Sequence, residues 1–203
     1  MSEHDERRNP WTRRGVVTKY ANPWIVVEEH DVLTPRGTPG IYGVVRPRSF
    51  AIGVLPLDEA GCTTLVGQYR YPLERYSWEM PEGGGDKAVA PIDSARRELL
   101  EETGLVAAHW LEVLRMDLSN SISDEQATCF VAWGLEQRDA APEETEELRL
   151  RTVTLGELLD LVLAGAITDS LTVATVLKLK ALADAKRLPP PLASVVARGL
   201  TRT

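Results

Sequence analysis

Cysteine is scarce in this chain: Cys62 and Cys129 stand alone, far apart, in no metal or redox spacing. Two lone thiols beside strand-like runs suit buried structural positions and a reducing cytoplasm. Histidine is scarcer than a zinc site would want, with His4, His30 and His109 scattered along the chain. Positive charge is also in deficit. Lys and Arg number 23 against 30 Asp and Glu, a net charge of -7. That balance argues against bulk electrostatic binding to nucleic acid or to an anionic membrane, and there is no basic patch for a decapping role. No apolar run is long enough to span a bilayer. The charged opening, MSEHDERRNPWTRR, has no hydrophobic region and predicts no signal peptide. The expected location is cytoplasmic.

What is present suits a globular protein with one sizeable core. The chain has 203 residues, 43% of them apolar and 26% charged. Residues 1–14 read as a polar arm. Val, Ile, Tyr and Trp are dense from Gly15 to about Val45, with turn signals at Ala21-Asn22-Pro23 and Pro35-Arg36-Gly37, which predicts strands in hairpins. Further strands are expected over 49–56, 63–71 and 76–80, the last running into a glycine-rich loop at 81–85. A helix follows, with Pro91 in its first turn and Gly104 at its left-handed cap. Strands are expected again over 106–115, 125–135 and 148–153, with an acidic loop over 136–147. Thr154-Leu155-Gly156-Glu157 is a capping box that opens a helix to about Ala164. A last amphipathic helix covers 170–183. The stretch after Leu188, with three prolines in a row, reads as a tail, ordered only if something ties it down. Strands and helices mix without regular alternation, so the fold class is α+β or a mixed-sheet α/β sandwich.

The segment RELLEETGL, residues 97–105, places Glu98, Glu101 and Glu102 within about one turn of a helix. The Glu98/Glu102 pair repels, at a cost of a few tenths of a kcal/mol in water, and Arg97 offsets part of it through Glu101. A solvated charged face is one reading. Against it, the glutamates lie toward the C-terminus, where the helix dipole disfavours negative charge, and a glycine-rich stretch precedes them. A hard divalent cation resolves the conflict. Carboxylate oxygens suit Mg²⁺, with Mn²⁺ as the alternative, and Mg²⁺ commonly takes one or two carboxylates together with substrate phosphates.

These residues resemble the Nudix box, G-x5-E-x7-R-E-U-x-E-E-x-G-U, where U is a bulky aliphatic residue. Here it runs from Gly83 to Leu105, with Arg97, Glu98, Leu99, Glu101, Glu102, Gly104 and Leu105 in register. One position departs: Val89 stands where the pattern has its first Glu, which removes an auxiliary ligand or a partner for Arg97. Gly67-Gln68-Tyr69-Arg70-Tyr71-Pro72 and Trp78-Glu79-Met80-Pro81-Glu82-Gly83 are similar to the stretch leading into the box in the branch that cleaves ADP-ribose and nucleoside diphosphate sugars. Segments 119–125, 142–148 and 165–170 also resemble that branch. The resemblance implies a mixed β-sheet sandwiched between helices over 46–186, an N-terminal antiparallel β-segment over 15–45 that caps the substrate and forms a homodimer, and a C-terminal tail over 187–203.

The implied reaction is metal-dependent hydrolysis of a pyrophosphate link in a nucleotide sugar, ADP-ribose before GDP-mannose. The alternative is a Nudix-fold sensor that binds a nucleotide without turnover, which retention of all three box glutamates disfavours. Glu98 and Glu102 are the expected principal metal ligands, Glu101 a third, and the Glu82 backbone carbonyl another. Arg97 orients the glutamates. The general base is expected in the acidic loop, Glu144 first and Glu146 second, with Glu102 serving in other branches. Arg70 suits a phosphate contact or a structural salt bridge. Glu79 supports the metal or nearby arginines, Trp24 and Tyr42 stack on a base or pack in the core, Trp78 packs under the loop, and Glu125 lies at the pocket edge. The expected partner is a small nucleotide substrate, with neither nucleic acid nor membrane.

Overall fold

A computed structural model describes residues 8–138 and 147–201. The chain divides into two compact units, one formed by the chain up to Ser49 together with Asp117–Glu125, the other by Phe50–Met116 and Gln126–Thr203.

The first unit is an antiparallel meander of β1 (Thr12–Ala21), β2 (Ile25–Leu33) and β3 (Pro39–Pro47). The predicted hairpins are present, and β1 begins at Thr12, within the stretch read from the sequence as a polar arm. Asn22 closes the first turn, its Oδ1 accepting from Trp24 N at 2.8 Å and Ile25 N at 2.7 Å. An Asn side chain does this because it mimics a backbone carbonyl. Glu28 accepts from Arg46 at 2.7 Å and pairs with His30, and Arg46 also reaches Asp124 at 2.6 Å. These bonds draw Glu28 below the usual carboxylate range, His30 contributing most.

The second unit holds two sheets. One has the order β10-β5-β6, from Arg149–Thr154, Cys62–Arg70 and Arg75–Glu79. The other has the order β7-β4-β9-β8, from Glu82–Asp86, Ser49–Leu57, Gln126–Gln137 and Leu105–Asp117, with β4 and β9 parallel. Helix α1 (Pro91–Thr103) packs Ala95 and Leu99 against Ile52, Val54, Phe130 and Ala132. Its ends form as the sequence requires: Pro91 sits in the first turn, and Gly104, at φ 70°, caps the end by donating to Leu100 O. Helix α2 (Leu155–Leu163) opens on Thr154, whose Oγ1 accepts from Glu157 N at 3.0 Å. Helix α3 (Ser170–Asp184) opens on Asp169 in the same way, through Thr172 N at 2.7 Å. Cys129 is buried in β9, and loss of water pushes its thiol up to about 11.

Two expectations are corrected. The glycine-rich stretch is a strand, β7, hydrogen-bonded into the sheet beside β4. Its glycines serve close approach: a Cβ on Gly83 would sit 2.4 Å from the Glu98 carboxylate, and one on Gly85 would sit 2.2 Å from the Phe50 ring. The expected tail is helix α4 (Pro190–Leu200), which buries Leu192, Val195 and Val196. Its prolines fall in the first turn, where no intrahelical N–H is needed. What ties it down is a backbone contact between Gly199 and the turn at Gly61, reinforced by Arg198 Nε donating to Glu59 O at 2.6 Å. Among the described residues, no helix is long and apolar enough to cross a membrane.

Candidate active site

Helix α1 presents its glutamates in an order that decides between the two readings of its sequence. Glu98 is 8% exposed and Glu102 5%, on the same face as the core residues Ala95 and Leu99. A solvated charged face is therefore ruled out for this pair. Glu101 lies at the edge of the cluster, half-buried. Burying two like charges one turn apart is costly unless something neutralises them.

The surroundings supply part of that compensation. Arg97 donates through Nη2 to Glu98 Oε1 at 2.6 Å and through Nη1 to Glu101 Oε2 at 2.6 Å. Its Nη2 also reaches Gly84 O at 3.0 Å, so one guanidinium joins α1 to β7. Val89, in the turn between them, is exposed; Arg97 is thus engaged without the glutamate that the box pattern would place there. Glu102 Oε2 accepts from the backbone N–H of Glu82 at 3.0 Å. Gly83 leaves room for the Glu98 carboxylate directly against the strand. For Gly83→Ala we expect an intact fold, since the atom displaced is the end of a flexible side chain. Turnover should fall about a hundredfold as Glu98 is pushed aside; parallel melting curves and initial rates check this.

A second group of acids adjoins the first. Arg70, at the end of β5, donates from Nε to both oxygens of Glu79, at 3.1 and 2.9 Å, and from Nη2 to Glu82 Oε1 at 2.6 Å. Glu79 is 3% exposed. Carboxylate oxygens of Glu79, Glu82 and Asp169 lie within 4.8 Å of one another. Burial first, then the negative charges of Asp169 and Glu79, hold the Glu82 carboxyl well above the usual carboxylate range, against the pull of Arg70. Glu82 Oε2 is buried and meets no donor among the described residues. A cavity of about 380 Å³ opens beside this group, lined by Arg70, Pro72, Ser77, Glu79, Thr168 and Asp169, among others. Both readings of Arg70 thus have support in position, since it holds two salt bridges and faces a cavity. Asp169 was missed in the sequence, where it reads only as a link between helices; its N-cap position before Ser170 was the available signal.

Of the other expected site residues, Trp24, Tyr42 and Glu125 belong to the first unit and Trp78 to the second. Trp24, in the β1–β2 turn, is exposed. Tyr42 donates to Ser121 O at 2.7 Å and meets Trp11 edge-on, so it is held by packing within the first unit. Glu125 is half-buried in the same unit, its N–H bonded to Ser123 Oγ at 3.0 Å. Trp78 packs edge-on against Tyr76, over Gly67. Glu144 and Glu146 lie outside the described residues.

The donors assembled here are all hard oxygens, one of them buried without a donor, which fits a small divalent cation and not zinc or copper. Buried glutamates stacked against bare backbone suit a hard cation of the kind that binds together with phosphate oxygens. Residues 47–172 match the Nudix domain, and residues 11–45 match the nucleoside diphosphate sugar hydrolase N-terminal domain. The chain belongs to the Nudix family and is a pyrophosphohydrolase. It is 33% identical over 145 residues to ADP-ribose pyrophosphatase from Mycobacterium tuberculosis, covering 70% of each chain. It is 32% identical over 154 residues to the methanol dehydrogenase activator of Bacillus methanolicus, covering 75% of this chain and 83% of that one. In fold it is similar to a crystal structure of an ADP compounds hydrolase, with a TM-score of 0.78 at 20% identity, over 88% of this chain and 97% of the other.

Proposed function

We propose that the enzyme hydrolyses the pyrophosphate link of ADP-ribose, or of another nucleotide sugar such as GDP-mannose, in a divalent-metal-dependent reaction. The products are a nucleoside monophosphate and a sugar phosphate. The observation that carries this reading is the burial of Glu98 and Glu102 together on one face of α1, against a strand with no side chain in the way. The ADP-ribose pyrophosphatase among the relatives and the match to a nucleoside diphosphate sugar hydrolase domain point to the substrate class.

Glu98 and Glu102 would hold Mg²⁺ or Mn²⁺, with Glu101 at the edge and the Glu82 backbone beside them. The ion supplies charge neutralisation for the diphosphate and eases deprotonation of the attacking water. Arg97 keeps Glu98 and Glu101 in orientation through its two bonds. Arg70 presents a guanidinium fork already aligned by Glu79 and Glu82, a geometry suited to phosphate oxygens. Glu144 takes the proton from water as it attacks phosphorus and the bond to the bridging oxygen breaks; Glu146 is the second candidate. Exposed Trp24 offers a face for a nucleobase. The 15–45 segment makes a homodimer, and exposed Val16, Val17 and Tyr20 on β1 provide apolar surface for it; sedimentation should give twice the chain mass, and a stable monomer would overturn the dimer. The two isolated thiols suit the cytoplasm.

The test is a panel of nucleotide sugars assayed for monophosphate and sugar phosphate with Mg²⁺ and with chelator. Metal-dependent release from ADP-ribose above the other substrates is expected. Equal rates with chelator would sink metal dependence, and no turnover of any substrate would favour the sensor. Within the panel, a larger rate loss in Glu146→Gln than in Glu144→Gln would reverse the choice of base.

A further inference from the structure

The segment Met80-Pro81-Glu82 joins β6 to β7 and carries the N–H that Glu102 accepts. Three of its backbone groups bond to three different elements. Pro81 O accepts from Val54 N of β4 at 2.8 Å. Met80 N donates to Thr172 Oγ1 of α3 at 2.9 Å. Glu82 N donates to Glu102 Oε2 of α1 at 3.0 Å. The Met80 side chain is fully buried, its Cε so close to Gly53 that a Cβ there would lie 2.1 Å away. A link held in this way has little freedom to shift, and its last N–H aims one buried carboxylate.

Thr172 is the remote end of this arrangement. It is 0% exposed, one turn into α3, and its own N–H bonds to the Asp169 cap. A buried hydroxyl usually satisfies its hydrogen bonds within the protein, and here it takes the one N–H of the link that neither sheet nor glutamate uses. Valine has nearly the same shape and lacks the acceptor, so Thr172→Val strands Met80 N without filling or emptying the core.

We propose that Thr172 is a positioning residue for the metal site, acting through the Met80–Glu82 backbone on the carboxylate of Glu102. This rests on the reading of Glu98 and Glu102 as metal ligands. Partners that orient a ligand from outside the coordination sphere commonly change metal affinity by about 10–100-fold. A merely structural threonine would change melting temperature and leave ion affinity alone.

The experiment is Mn²⁺ binding to the full chain without substrate, read as free Mn²⁺ by electron paramagnetic resonance, for the wild type and for Thr172→Val, Thr172→Ser and Glu102→Gln. Thr172→Val should bind Mn²⁺ about tenfold more weakly, with an unchanged far-ultraviolet circular dichroism spectrum. Thr172→Ser, which keeps the hydroxyl, should stay within about twofold of wild type. If Thr172→Val does not fold, Thr172→Ala, which removes the same acceptor with less bulk, takes its place. Wild-type affinity in the variant that lacks the acceptor, or failure of serine to restore it, overturns the assignment. Loss of Mn²⁺ binding in Glu102→Gln establishes the site independently; if wild type and Glu102→Gln bind Mn²⁺ equally, the ligand reading itself fails and this inference with it.

Discussion

Glu102→Gln should lose about a thousandfold or more in turnover while keeping its fold. Gln retains a carbonyl oxygen where Glu102 Oε2 accepts from Glu82 N, so the link to β7 survives. It removes a negative charge from a face that already holds buried Glu98. Several kcal/mol of transition-state charge stabilisation is at stake when an ion is lost from such a site, and about 1.4 kcal/mol is one factor of ten. The stability readout separates this from damage. Without metal the variant should melt at or above the wild type, because repulsion between buried carboxylates is relieved. With saturating Mg²⁺ the wild type should gain about 2.7 kcal/mol at a hundred times its dissociation constant, and the variant should gain little. Wild-type turnover in Glu102→Gln, measured with ADP-ribose, would remove the basis of the mechanism.

Gly199→Ala should be strongly destabilising, although it adds only one methyl. In a helix interior Ala is favoured over Gly by about 1 kcal/mol, so propensity alone predicts a gain. The contact reverses the sign. A Cβ at 199 would lie 2.2 Å from Gly61 O, and backbone cannot swing aside as a side-chain tip can. Gly61 is itself fixed, at φ 82°, with its carbonyl accepting from Leu155 N at the start of α2. Either the turn moves and α2 loses that bond, or α4 lifts and uncovers Leu192, Val195 and Val196. A net loss of about 3 kcal/mol is expected, which lowers the melting temperature by roughly 6–12 °C in a chain of this size. A calorimetric scan showing an unchanged or higher midpoint would mean that α4 does not depend on this contact.

Helix α1 and its ends were legible because local rules act there without competition. Pro91, the i, i+4 spacing of Glu98 and Glu102, and Gly104 each specify geometry within a few residues. The hairpins of the first unit, the Thr154 cap and the Nudix resemblance were legible for the same reason. Strand β7 was not, since three glycines in a row punctuate a chain, and only the Glu98 carboxylate and the Phe50 ring explain why they belong in a sheet. Helix α4 was hidden by its prolines, although Leu192, Val195 and Val196 carry the i, i+3, i+4 spacing of a buried face. The group formed by Glu79, Glu82 and Asp169 was out of reach for another reason. Asp169 comes from the far end of the chain, and no local pattern announces that α3 will set its first turn beside β6.

The bare strand beneath Glu98 also shapes how this enzyme can vary. Position 83 admits no replacement without disturbing the acid above it, so changes of chemistry by substitution are closed there. Val89 nearby is exposed and open to change, whereas Glu82 is held in a part-buried ion pair, and a smaller residue there would leave Arg70 one partner fewer. Divergence in substrate preference would accumulate around the rim, over a floor that stays mute.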